Sequence, residues 1–149
     1  MPGGCEAAVH AARRFLREMA EGSILIKLDF SSAFNSLYRD RMRDSIYTLL
    51  PELAHLCHLE YSEPSNVKFR KFSLLSQFGP QQGEPLGPLL FCLPLQPIMS
   101  EMSSSLVLGC LDGLTLGGSA QIVAADVAML ECKCKELGLQ SFEVRGCHQ

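Results

Sequence analysis

The chain has no excess of basic charge. Its 13 Lys and Arg are outnumbered by 16 Asp and Glu, for a formal charge of −3 and a pI of about 5.8. A protein that grips nucleic acid unaided carries a basic face, because releasing counterions from phosphates supplies most of the nonspecific affinity. Two small clusters, Arg13/Arg14/Arg17 and Lys68/Arg70/Lys71, read as solvated faces. Independent binding to nucleic acid is therefore expected to be weak or absent. Long apolar runs are lacking too: the longest, Pro85–Met99, is shorter than a spanning helix and contains Pro85, Pro88, Pro94 and Pro97. A secretory pattern is missing, since Arg13, Arg14, Arg17 and Glu18 stand where a signal peptide would be apolar. The 7 cysteines are odd in number and show no framework spacing, which suits a reducing compartment better than a disulfide scaffold. The reading is a soluble intracellular chain, of cytoplasm or nucleus, with no membrane partner.

What is present is enough apolar residue, 47%, to fill one core in one domain over residues 1–149. No repeat or low-complexity tract interrupts it, and residues 62–66 read as a connecting loop. Residues 5–20 have helical periodicity, with Ala8, Ala12, Phe15, Leu16 and Met19 on one stripe and Gly22 past the end. Ser23–Phe30 reads as a strand buried on both faces that terminates at Asp29. Helices follow over Arg39–Leu50 and Glu52–Leu59, then two short strands over Val67–Arg70 and Phe72–Ser76. Pro85–Met102 reads as one long buried helix. Leu106–Leu116 reads as a hairpin turning on Asp112-Gly113, and the helix through Val123, Val127, Leu130, Cys134 and Leu137 closes at Gly138. This order predicts an α+β fold, with helices packed on one face of a small antiparallel sheet.

Two carboxylates stand out by position, Asp29 at a strand end and Asp112 at a hairpin tip. Alone, each is an ordinary cap or turn aspartate. Side by side at one sheet edge they would repel, and a divalent cation relieves that repulsion. Magnesium suits such a pair, since it needs one or two carboxylates and completes its shell with water and phosphate oxygens. That is the arrangement of two-metal phosphoryl transfer. Between the two lies Gln81-Gln82-Gly83-Glu84-Pro85-Leu86-Gly87-Pro88, in which Gly83 lets backbone approach a ligand and Pro85 starts a helix.

In order and spacing, the segments ILIKLDFSSAF (24–34), GPQQGEPLGPL (79–89) and SLVLGCLDGLTLGG (105–118) resemble motifs A, B and C of reverse transcriptases, most closely those of non-LTR retrotransposons. The resemblance implies a polymerase palm with Asp29 and Asp112 as catalytic metal ligands, Mg2+ as cofactor, and RNA template, DNA primer and dNTP as partners of a complete enzyme. It implies that the backbone of Phe30, Ser31, Ser32 and Ala33 faces the triphosphate. Phe34 matches the bulky residue that obstructs a ribose 2′-hydroxyl, and Gln82 and Gly83 lie against template and incoming nucleotide. Where the family places an aromatic residue, any residue and two aspartates, this chain has Cys110, Leu111, Asp112 and Gly113. Pro94 falls inside the expected motif-B helix, and residues 141–149 depart from the family pattern. The chain reads as a truncated palm without fingers or thumb, and polymerase activity is not expected of it alone. The alternative is a noncatalytic retroelement-derived remnant or protein-interaction module. Zinc is a poorer reading: His55, Cys57 and His58, Cys132 and Cys134, and Cys147 and His148 cluster without Cys-x2-Cys spacing.

Overall fold

The computed structural model describes residues 3–139 and 142–148. The chain runs through α1 (Gly4–Glu18), β1 (Ser23–Phe30), a single turn α2 (Ala33–Ser36), and α3 (Arg39–Leu49). A 3-10 turn at Pro51–Leu53 leads into α4 (Ala54–Tyr61), followed by the strand pair β2 (Ser65–Phe69) and β3 (Phe72–Ser76). Next come α5 (Gly87–Cys92), α6 (Leu95–Ser100), β4 (Leu106–Cys110), β5 (Gly113–Ser119), α7 (Ala120–Glu136) and β6 (Phe142–His148).

Four strands form one antiparallel sheet in the order β4-β5-β1-β6, and β2 and β3 form a separate hairpin. Alternation along β1 sets the sheet's two faces. Ile26, Leu28 and Phe30 are buried, and across the ladder Ile26 faces Leu116 while Leu28 faces Leu114. Helix α7 covers this face with Val123, Leu130 and Cys134, and the same core takes in Leu37, Met42, Ile46, Leu90 and Phe91. Burying each of the large members contributes about 1.5–3 kcal/mol. The expected α+β palm-like fold, a small antiparallel sheet with helices packed on it, is the architecture found, although α1 lies on the opposite face from the others.

The strand expected to be buried on both faces is buried on one. Lys27 is exposed and Asp29 half-buried on the far side, because only α1 lies there. Phe15 of α1 presses on Gly117, where a Cβ would stand 2.8 Å from the ring. Ala8, Ala12, Phe15 and Met19 are half-buried as the stripe predicts, but Leu16 is exposed. Helix α1 ends at Glu18, so Gly22 (φ 80°) serves the turn into β1 instead of capping the helix.

The single helix expected over Pro85–Met102 is two. Pro94 has no amide hydrogen to continue the ladder, so α5 stops at Cys92 and α6 restarts from Pro94 as its cap. Segment 142–148, unassigned in the sequence reading, is the edge strand β6 paired along β1. The hairpin tip also shifts by one residue. Cys110 pairs with Gly113, leaving Leu111 and Asp112 as the turn, with Leu111 at a left-handed φ of 54°. Asp-Gly favours turning on itself, but here Gly113 is already the first residue of β5, opposite both Cys110 and Asp29.

Leu111 is 43% exposed, so its strained backbone can be tested without emptying the core. Leu111→Gly should leave stability unchanged or raise it by up to about 1 kcal/mol, because the left-handed penalty disappears. Leu111→Val should lose about 1–2 kcal/mol, its branched Cβ being least compatible with positive φ. Urea unfolding checks both, and a loss with glycine would count against strain at this turn.

Candidate functional site

Motifs A and C meet at one end of the sheet. The Phe30 amide donates to the carbonyl of Asp112 at 2.9 Å, and Asp29 stands opposite Gly113 in the β1–β5 ladder. The fold therefore places Asp29 and Asp112 at adjoining positions of the same sheet edge, one at a strand end and one in the turn. Asp29 is 31% exposed in its side chain and pairs with Lys27 at 2.8 Å. A Cβ on Gly113 would lie 3.5 Å from Asp29 Oδ1 and 3.6 Å from Lys27 Cε. A side chain at position 113 would thus start in van der Waals contact with Asp29 and Lys27. On the other flank, β6 sets Glu143 opposite Asp29 and Arg145 opposite Lys27, and Glu143 and Arg145 pair at 3.2 Å. Sequence reading missed these β6 neighbours because the segment matched no expected pattern.

The remaining candidates fall into two groups around α2. Ser31 and Ser32 are exposed just past Phe30, with Ser32 at φ 50°, and they line an open cavity of about 390 Å³ together with Asn35, Ser36, Tyr38 and Phe78. Phe30 and Ala33 are buried, so their side chains serve the core and only backbone is available there. Phe34 stacks on Phe91 with ring centroids 4.8 Å apart. It shares a second open cavity, about 440 Å³, with Gln81, Gln82, Gly83, Glu84 and Pro85. The fold thus joins Phe34 to the motif-B loop, while Asp29 and Asp112 do not line that cavity. Gly79 permits the approach, since a Cβ there would overlap the Phe34 carbonyl.

An unforeseen network holds the motif-B loop. Buried Arg39 donates to the carbonyls of Gly79 (3.0 Å) and Ser76 (2.8 Å) and to Ser76 Oγ (2.9 Å). Its guanidinium lies 5.1 Å from the Tyr61 ring centroid. The Tyr61 hydroxyl accepts from the Gln81 amide at 3.1 Å and donates to Glu84. Burial, reinforced by the nearby charge of Glu60, holds the Glu84 carboxyl above its ordinary pKa. Nothing in the sequence marks Arg39 or Tyr61, because their partners lie 20 to 40 residues away.

Asp126 does the same for motif C. It is 6% exposed, and its carboxylate accepts from the amides of Ser103 and Ser104 and from Ser104 Oγ at 2.5 Å. These bonds tie α7 to the segment that enters β4. Burial pushes its pKa up, but the Ser104 hydroxyl and the two amides outweigh that and leave it below the ordinary carboxylate range.

The cysteine and histidine clusters form no zinc site among the described residues, where no group of three or more candidate ligands converges. Cys57 and Cys134 are buried as small apolar groups, and burial pushes the Cys134 thiol up to about 12. The side chains of Cys147 and His148 lie outside the described residues.

A four-stranded antiparallel sheet with segment 24–34 on a central strand and segment 105–118 on the adjoining hairpin has the fold of a reverse-transcriptase palm. Solved structures agree in fold. Apo telomerase from Candida tropicalis superposes with a TM-score of 0.70 at 13% identity, covering 96% of this chain and 31% of that one. Telomerase from Candida tropicalis in complex with a TWJ fragment of telomeric RNA gives 0.68 at 16% identity, covering 95% and 29%. The Candida albicans telomerase complex with the same kind of RNA fragment gives 0.66 at 13%, covering 97% and 31%. The chain spans about a third of the length of these telomerase chains. No protein-family model and no curated protein matches the sequence. No helix among the described residues is long and apolar enough to cross a membrane.

Asp126 supplies a pH signature. Its folded pKa is depressed, so its stabilisation is present above the unfolded value near 4 and is lost as pH falls through the folded value. Asp126→Ala should cost about 2–3 kcal/mol at pH 7 and flatten the acid limb of the stability curve below about pH 4. Urea unfolding from pH 2 to pH 7 checks this, and an unchanged acid limb would show that other groups carry it.

Proposed function

We propose that this chain is a polymerase palm of the non-LTR reverse-transcriptase type, built for nucleotidyl transfer at Asp29 and Asp112. The observation that carries the reading is the Phe30–Asp112 backbone bond, which sets the two motif aspartates at one sheet edge. The donor set fits a hard divalent ion. One half-exposed and one exposed carboxylate meet the minimum that magnesium requires, with water and phosphate oxygens completing the shell. When bound, Mg2+ would neutralise charge developing on the attacking and leaving oxygens. The chain's own residues would position the substrate. Backbone at Phe30–Ala33 would face the triphosphate, Phe34 would crowd a ribose 2′-hydroxyl, and Gln82 and Gly83 would lie against template and nucleotide. A TWJ fragment of telomeric RNA is bound in two of the telomerase structures, which supports a nucleic-acid partner here.

The same site argues for a pseudoenzyme. Gly113 leaves the carboxylate row one member short, and Lys27 already holds Asp29. Positioning dominates the barrier in such transfers, so a site short of a carboxylate and with Asp29 already paired is poorly set for it. A second reading rests on a different observation. Val67, Phe72, Leu74 and Leu75 of the β2–β3 hairpin are each 50–60% exposed, an apolar surface suited to association with a protein partner.

Primer extension on an RNA template with Mg2+ or Mn2+ should not exceed that of Asp29→Asn. Gly113→Asp alone should not rescue it, but placed in a chimera with the fingers and thumb of an active reverse transcriptase it should raise the rate at least tenfold. Extension by the unmodified chain that Asp29→Asn abolishes would remove the pseudoenzyme reading. A Gly113→Asp chimera no faster than its Gly113 counterpart would remove the palm assignment of that position.

A further inference from the structure

Three cysteines from three distant parts of the chain approach the tip of the β4–β5 hairpin. Cys5 lies in the first turn of α1, Cys92 at the end of α5, and Cys110 at the end of β4. The Cys5 and Cys110 thiols lie within interacting range of one another, and both residues are exposed. Helix α1 packs against β4, so the contact belongs to the way α1 lies across the sheet. Cys92 is half-buried and engaged instead with the backbone of Leu111. Cys110 occupies a defined row: it pairs with Gly113, which pairs with Asp29, so all three project to the face that α1 crosses. In the family pattern this position is aromatic, and an aromatic ring has no such partner.

We propose that Cys5 and Cys110 form a reversible disulfide clasp that fastens the first turn of α1 to the hairpin tip beside Asp29 and Asp112. The oxidant is a small-molecule disulfide such as oxidised glutathione. The Cys5 sulfur attacks one sulfur of that disulfide and releases one small thiol, giving a mixed disulfide. The Cys110 sulfur then attacks Cys5 and releases the second. Two electrons pass from the protein thiols to the small disulfide, and the two thiol protons leave on the two small thiols. Reaction with excess small thiol runs the same steps backwards. Closure needs Cβ atoms within about 4.5 Å, and of the two neighbours of Cys110 only Cys5 is exposed to the oxidant while Cys92 is half-buried. Closing so long a segment removes entropy from the unfolded chain, so the oxidised form is the more stable.

The test treats the whole chain with oxidised glutathione, then alkylates free thiols and maps peptides by mass. The expected product is two hydrogens lighter than the reduced chain, with Cys5 and Cys110 peptides joined and Cys92 alkylated. Its melting temperature should rise by roughly 5–15 °C and fall back on reduction. Cys5→Ser and Cys110→Ser should each abolish the link, while Cys92→Ser preserves it. Circular dichroism of the serine variants separates loss of the link from loss of fold, and Cys5, exposed at a helix end, is the variant that reads cleanly. Stable glutathione adducts on Cys5 and Cys110 without a cross-link would overturn the proposal. So would a cross-link through Cys92, or one that melts no higher than the reduced chain.

Discussion

The register between β1 and β5 is the constraint on which the rest of the molecule depends. Leu28 opposite Leu114 and Ile26 opposite Leu116 put four buried aliphatic side chains under α7. A slip of one residue would turn one strand's pair toward the exposed face, at a cost of several kcal/mol. Once that register holds, Asp29 must stand opposite Gly113, and the Phe30 amide must meet the Asp112 carbonyl. The geometry of the candidate site is therefore a consequence of core packing two residues away. Beside it the hairpin tip holds Leu111 at a left-handed φ, with Gly113 committed to the ladder opposite Asp29.

Polar pins do for the loops what the register does for the strands. Asp126 fastens the entry to β4, and Arg39 with Tyr61 fastens the Gln81–Glu84 loop. Both are buried and charge-assisted, so each bond is worth more than a neutral surface contact and its loss leaves amides or carbonyls unpaired. The two sites they hold are separate. Asp29 and Asp112 sit at the sheet edge, while Phe34 and the motif-B loop share a cavity of their own.

The likeness to telomerase is a likeness of fold, at 13–16% identity over about a third of those chains. Function is carried by local chemistry, and that is particular to this chain. Gly113 contributes no carboxylate, the Cys110 thiol meets Cys5, and Lys27 and Arg145 lay two cations beside two carboxylates on the face of β1 and β6. A sheet that keeps its apolar register can lose a ligand from the opposite face at little cost to folding, since that face is solvated. Fold and activity can part company for that reason.

Much of this was legible in the linear sequence. Apolar alternation and helical spacing are local signals, and they marked β1, α3, α7 and the hairpin within a residue or two. Spacing among three short motifs brought Asp29, Asp112, Phe34, Gln82 and Gly83 forward, and the fold sets the first two at one edge and the last three around one cavity. What tertiary structure alone decided rests on partners far apart in the chain. Arg39 needed Ser76 and Gly79, Asp126 needed Ser103 and Ser104, and Cys5 needed Cys110, none of them related by any local period. Segment 142–148 became a strand because β1 offered it an open edge to pair with, whereas the break at Pro94 was a local signal already visible in the sequence. Side-chain periodicity is written residue by residue, whereas a hydrogen bond across the fold exists only after the core has brought its two ends together.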